Sequence, residues 1–118
     1  MEEWIPHFRL TGLAIREYLL TFGKGNPYDF YKRFRKVKPT TSYSSIARYF
    51  YILRRLGLIE VVEEEPSRHG FPKRYHRIVP GMEDDPRWVA PQEAIYPETR
   101  LGRKRYRKWV EEGRPKLE

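Results

Sequence analysis

Read at 100° per residue, the stretch between Thr41 and Leu56 sorts its side chains onto two sides of a helix. Ile46, Tyr49, Phe50, Leu53 and Leu56 form an apolar stripe. Opposite them fall Ser44, Arg48, Tyr51 and Arg55, with Tyr43, Ser45 and Ala47 near the N-terminal end. Hydroxyls and guanidinium groups in such a row donate to phosphate oxygens and to base edges. Thr40 and Thr41, placed where the helix begins, add an anion-binding N-terminus.

Other chemistries find little support. The chain has no cysteine, so disulfides, thiolate catalysis and cysteine-bearing metal sites are excluded. His7, His69 and His76 are scattered without ligand spacing. Gly23-Lys24-Gly25 lacks the spacing and the Ser/Thr of a phosphate loop. The acids at 83–85 read as a solvated cluster. We expect no enzyme, no metal and no cofactor. No apolar run approaches the roughly 18 residues of a membrane span. The segment Met1-Glu2-Glu3-Trp4 has neither the basic nor the apolar part of a signal peptide. A cytoplasmic protein without membrane contact is the expectation.

The elements that must position these groups follow from punctuation and periodicity. At 118 residues, with 39% hydrophobic and 15% aromatic content, the chain suits one folded domain. Residues 1–10 read as an N-terminal arm. Thr11 is placed to cap a first helix, whose face is Ile15, Tyr18, Leu19 and Phe22; Gly23 and Gly25 end it. Leu13 and Leu20 lie on its far side and need cover from the C-terminal segment or a second subunit. Asn26-Pro27 starts a second helix that buries Phe30, Phe34 and Val37 and turns Lys32, Arg33, Arg35 and Lys36 elsewhere. Pro39 stops it, and Thr41 or Ser42 caps the third helix, at 42–56. Gly57 suits the left-handed position past its end, with Leu58 packing back. Two β-rich stretches, 58–63 and 74–79, enclose a polar tip, a hairpin pattern. Residues 82–97, with Pro86, Pro91 and Pro97, read as extended and held by Trp88, Val89, Ile95 and Tyr96. A last helix is expected near 98–112.

Charge is unevenly spread. The net +8 divides into +7 over residues 1–57, zero over 58–81, −4 over 82–99 and +5 over 100–118. Two basic blocks fit surfaces that face phosphates, or a solvated surface of a heat-adapted protein.

The order helix, helix, helix, hairpin resembles the winged helix-turn-helix family of transcription regulators. One carrying stretch is Ser44-Ser45-Ile46-Ala47-Arg48-Tyr49-Phe50-Tyr51-Ile52-Leu53-Arg54-Arg55-Leu56-Gly57-Leu58-Ile59, similar to a recognition helix and its exit. The other is Gly70-Phe71-Pro72-Lys73-Arg74-Tyr75-His76-Arg77-Ile78-Val79, similar to the wing of PadR-like and MarR-like regulators. The resemblance covers roughly 11–81 and leaves 82–118 as an extension. Glu63, Glu64 and Glu65 depart from it, putting acid at the base of the wing. It implies a mainly α fold with a small β-hairpin, double-stranded DNA as partner, and a homodimer, for which the uncovered Leu13 and Leu20 and the C-terminal segment are the candidate interface.

On that expectation Arg48 is the candidate for a bidentate guanine contact, and Ser44 and Ser45 for bases or phosphates. Tyr43 and Tyr51 divide between DNA contact and packing on neighbours. Arg54 and Arg55, late in the helix, suit Glu60 or the DNA backbone. Lys32 and Lys36, with Arg33 and Arg35, suit backbone contacts. At the wing, Arg68, His69, Lys73 and Arg74 suit phosphates or the minor groove, or form a solvated tip. The final run holds six Lys/Arg among residues 100–108, including Arg100, Lys104, Arg107 and Lys108. It reads as a helix docked through Tyr106 and Trp109 with a basic face left for phosphates, as a second nucleic-acid contact, or as an RNA-binding element. RNA or ribosome binding, and a protein-interaction role in a larger machine, are the alternative functions.

Overall fold

The computed structural model describes residues 3–68, 72–89 and 91. Three helices come first: α1 (Thr11–Phe22), α2 (Pro27–Phe34) and α3 (Tyr43–Arg55). An antiparallel pair follows, β1 (Ile59–Glu65) and β2 (Lys73–Ile78), and then a short 3-10 turn at Pro86–Trp88. This is the winged helix-turn-helix arrangement that the sequence leads one to expect. The expected helix near 98–112, and with it Ile95, Tyr96 and residues 100–108, lies outside the described residues, as does His69. Among the described residues no helix is long and apolar enough to cross a membrane.

Local chemistry sets the ends of the helix-turn-helix. The Asn26 side chain accepts a hydrogen bond from the Asp29 amide at 2.9 Å, and Pro27 occupies the first turn of α2, where a missing N–H costs nothing. Ser42, and not Thr41, caps α3 by accepting from the Ser45 amide at 3.2 Å. At its far end Gly57 takes φ 76°, which lets the Leu58 amide reach the Leu53 carbonyl at 3.0 Å and the Gly57 amide reach Arg54 at 3.0 Å. That pairing closes the helix and drives Leu58 into the core. The first helix differs from expectation. Thr11 is already helical, and Leu10 precedes it with no side-chain cap, so α1 is held by packing rather than by its own end.

The core joins Ile15, Tyr18 and Leu19 of α1, Phe30 and Phe34 of α2, and Ile46, Phe50 and Leu53 of α3. Phe30 stacks on Phe34 at 5.1 Å and meets Phe50 edge-on at 6.1 Å. Leu13 belongs to the same cluster, so it needs no second subunit to cover it; Leu20 stays 48% exposed. Phe22 is also largely exposed, packed beside Trp4 and under the Arg33 guanidinium rather than inside.

Residues 82–89 run back over α1, and at Pro86–Trp88 they coil into a 3-10 turn where an extended segment is expected. Asp85 caps the 3-10 turn by accepting from the Arg87 amide at 2.9 Å. Trp88 is fully buried, and its indole N–H donates to the Met82 carbonyl at 2.7 Å. The buried Arg16 of α1 donates to the Glu83 carbonyl and to Asp84. Gly12 makes this seat possible, since a Cβ there would strike the Trp88 carbonyl.

Candidate nucleic-acid interface

The outward row of α3 is assembled as the periodicity demands. Tyr43, Ser44, Ser45, Arg48, Tyr51 and Arg55 are all exposed, while Ile46, Phe50, Ile52 and Leu53 are buried beneath them. Thr40 is exposed and Thr41 partly so, both just ahead of the α3 N-terminus. Residues 30–56 hold eight Lys/Arg and no Asp/Glu. The groups of this row differ in freedom. Ser44 shares a hydroxyl contact with the capping Ser42 at 3.2 Å. Arg55 donates to the Tyr51 hydroxyl at 3.1 Å, and its guanidinium lies 5.9 Å from that ring centroid, so the two side chains act as a unit.

Arg54 departs from expectation. Glu60 is taken by Arg77, at 2.8 and 3.0 Å, and Arg54 turns inward to donate to the His76 Nε2 at 2.7 Å. His76 on β2 is fully buried, meets Phe50 edge-on at 5.1 Å, and exchanges backbone hydrogen bonds with Gly25 at 2.7 and 3.0 Å. It therefore ties together the α1–α2 turn, α3 and the wing. Accepting at Nε2 fixes a neutral ring with the proton on Nδ1, which has no partner among the described residues.

Burial, then the Arg54 charge, pushes the His76 pKa down to about 4. An unfolded chain takes up this proton near the ordinary value of about 6.5. Stability is therefore fully present above pH 6.5 and falls as acid is added, until the folded ring itself protonates near 4. This component is expected to be on the order of 2 kcal/mol. Urea midpoints measured from pH 7 to pH 4 check it. His76→Leu removes its share of the slope.

The second helix holds its cations closer than expected. Lys36 pairs with Glu3, and Arg33 donates to Asp29 at 3.1 Å and to the Trp4 carbonyl at 3.0 Å. Asp29 also accepts from the Tyr18 hydroxyl at 2.9 Å; burial and this carboxylate push the phenol above its usual range. Lys32 lies 5.1 Å from the Tyr28 ring centroid and Arg35 5.8 Å from that of Tyr31. The Lys36 pair is about half exposed on both sides, a kind of pair worth little and readily exchanged for phosphate.

The wing spends much of its charge on itself. The register sets Glu60 against Arg77, Glu64 against Arg74 and Glu65 against Lys73, with a bulge between Val61 and Glu63. Arg74 donates to Glu64 at 3.1 Å, Glu63 pairs with Lys24 of the α1–α2 turn, and Tyr75 donates to Glu65 at 2.9 Å. Of the cations proposed for wing contact, Arg68 and Lys73 remain exposed near the tip, while Arg74 is paired.

No family model matches the chain, and no curated protein matches it in sequence. Among solved structures, the crystal structure of a proposed transcriptional regulator from Thermoplasma acidophilum aligns at 16% identity and a TM-score of 0.54. The alignment covers 86% of this chain and 91% of that one. At that identity the likeness is one of fold, and the fold is the winged helix.

Proposed function

We propose that this chain binds double-stranded DNA by laying the outer row of α3 in the major groove, and that it acts in transcription regulation. The observation that carries this reading is the exposed row Ser44, Arg48, Tyr51 and Arg55, on a helix within a stretch of chain, residues 30–56, that contains no acid. Arg48 reaches a base edge, with guanine the bidentate partner; Ser44 and Ser45 contact bases or phosphates near the N-terminal end. Thr40, Thr41 and the α3 amide end grip one phosphate. Lys32, Lys36, Arg55, Arg68 and Lys73 neutralise others, and Arg74 joins only by releasing Glu64. The regulator role of the Thermoplasma protein supports the same reading by analogy of fold.

Selection of bound duplexes from a random pool, beside an RNA pool, tests it. A recovered consensus is expected, with about six neutralised phosphates giving a log K against log salt slope near −5. Arg48→Ala is expected to cost about 2 kcal/mol on that consensus, roughly thirtyfold in affinity, and to relax preference at one base pair. Titrations on the consensus and on its single-base variants check this. Tighter binding to structured RNA, or an Arg48→Ala protein indistinguishable on all duplexes, would defeat the reading.

A further inference from the structure

The elbow between α2 and α3 carries a cluster of rings that core packing does not explain. Tyr28 and Tyr31, one turn apart on α2, have centroids 6.4 Å apart at 33°. Tyr43, the first residue of α3, stands at 73° to Tyr28 and 76° to Tyr31, with centroids 5.9 and 5.8 Å away. Tyr28 is 51% and Tyr43 46% exposed, whereas Tyr31 is partly buried against the core and acts as their footing. None of the three hydroxyls has a hydrogen-bond partner among the described residues. Lys32 lies against the Tyr28 ring and Arg35 against the Tyr31 ring, and the exposed Lys38 follows.

Exposed rings with cations against them are what unstacked nucleotides require. Each base finds a face to stack on, and each phosphate finds a positive charge. A paired duplex cannot use these faces, because its bases are already stacked on one another. The centre of a protein–protein interface is depleted of charge. This cluster is instead bordered by Lys32 and Arg35, and Asp29, the acid between Tyr28 and Tyr31 in the chain, is taken up by Arg33 and the Tyr18 hydroxyl, which leaves a surface that suits a polyanion.

We propose that Tyr28 and Tyr43, braced by Tyr31 and flanked by Lys32 and Arg35, form a stacking platform for unpaired bases of single-stranded or locally opened DNA. The proposal rests on reading this side of the molecule as a DNA surface, yet the two fail separately. Arg48→Ala reports on the paired duplex, and Tyr28, on α2 and outside the outer row of α3, reports on unpaired bases.

The test uses the full chain, fluorescence anisotropy and three probes: a labelled oligothymidylate of about 12 nucleotides, a paired duplex, and that duplex with a central run of unpaired thymines. The unmodified protein is expected to bind the opened duplex about tenfold more tightly than the paired one. Tyr28→Leu and Tyr43→Leu are each expected to weaken oligothymidylate binding about tenfold, near 1.4 kcal/mol, and Tyr28→Leu, which lies outside the outer row of α3, to leave the paired duplex unchanged. Tyr28→Phe and Tyr43→Phe keep the ring and are expected to stay within about twofold of the parent. Three results overturn the proposal. One is equal affinity of the unmodified protein for opened and paired duplex, which needs no variant and turns the elbow over to a protein partner. The second is Leu variants, melting as the parent does, that bind oligothymidylate normally, or a Tyr28→Leu protein that loses single strand and duplex alike. The third is Phe variants as weak as the Leu ones.

Discussion

Trp88→Ala is expected to remove about 4 kcal/mol of folding stability, since Trp88 is the largest fully buried side chain among the described residues. Its indole is fully buried, joins the core cluster and donates to the Met82 carbonyl, so truncation opens a cavity and leaves that carbonyl only the longer hydrogen bond from the Asp85 amide at 3.3 Å. A domain of this size holds roughly 5–15 kcal/mol in total, so the variant retains a small margin. The loss falls on the turn at 82–88 and on α1 together, because Arg16 and Gly12 of α1 are both fitted to this segment. A urea or thermal denaturation curve measures it. A midpoint within about 0.5 kcal/mol of the parent would mean that the segment does not hold the domain together in solution.

Gly25→Ala is expected to cost about 3 kcal/mol despite adding only one methyl group. That methyl would enter the ring of Tyr18, which cannot swing aside: it is 2% exposed, and its hydroxyl accepts from the Asn26 amide at 3.2 Å and donates to Asp29. Displacing it loosens the start of α2 and disturbs the backbone exchange with His76. Equilibrium denaturation gives the magnitude. Amide exchange gives the location, with protection expected to fall first at Asn26 and His76. An unshifted midpoint would show that Tyr18 has another rotamer available.

The parts of the fold written in local chemistry were readable in advance. Asn26-Pro27 and Gly57-Leu58 act through neighbours at most a few residues away, and the 3.6-residue period of α3 separates its buried from its open side whatever surrounds it. Thr11 looked like a cap because nothing in its own neighbourhood says that α1 is fixed from outside, by Trp88 and the core. The same limit applies to Arg54. A single sequence offers Glu60 as its nearest acid in the chain, but strand pairing gives Glu60 to Arg77 and leaves Arg54 facing a buried imidazole. The tyrosine elbow joins two helices across a turn, so neither helical period contains it; Tyr28 and Tyr31 at i, i+3 were the visible half.

The ladder of acid and base along the hairpin has a bearing on how the molecule approaches a polyanion. Because Glu60, Glu63 and Glu64 each consume a cation within the fold, the formal +8 overstates the pull that a distant phosphate feels from the hairpin side. Among the described residues the attractive field is lopsided, stronger around the helical elbow than along the sheet. Diffusional capture should orient the protein helix-first, with the hairpin arriving late and settling by contact rather than by long-range attraction.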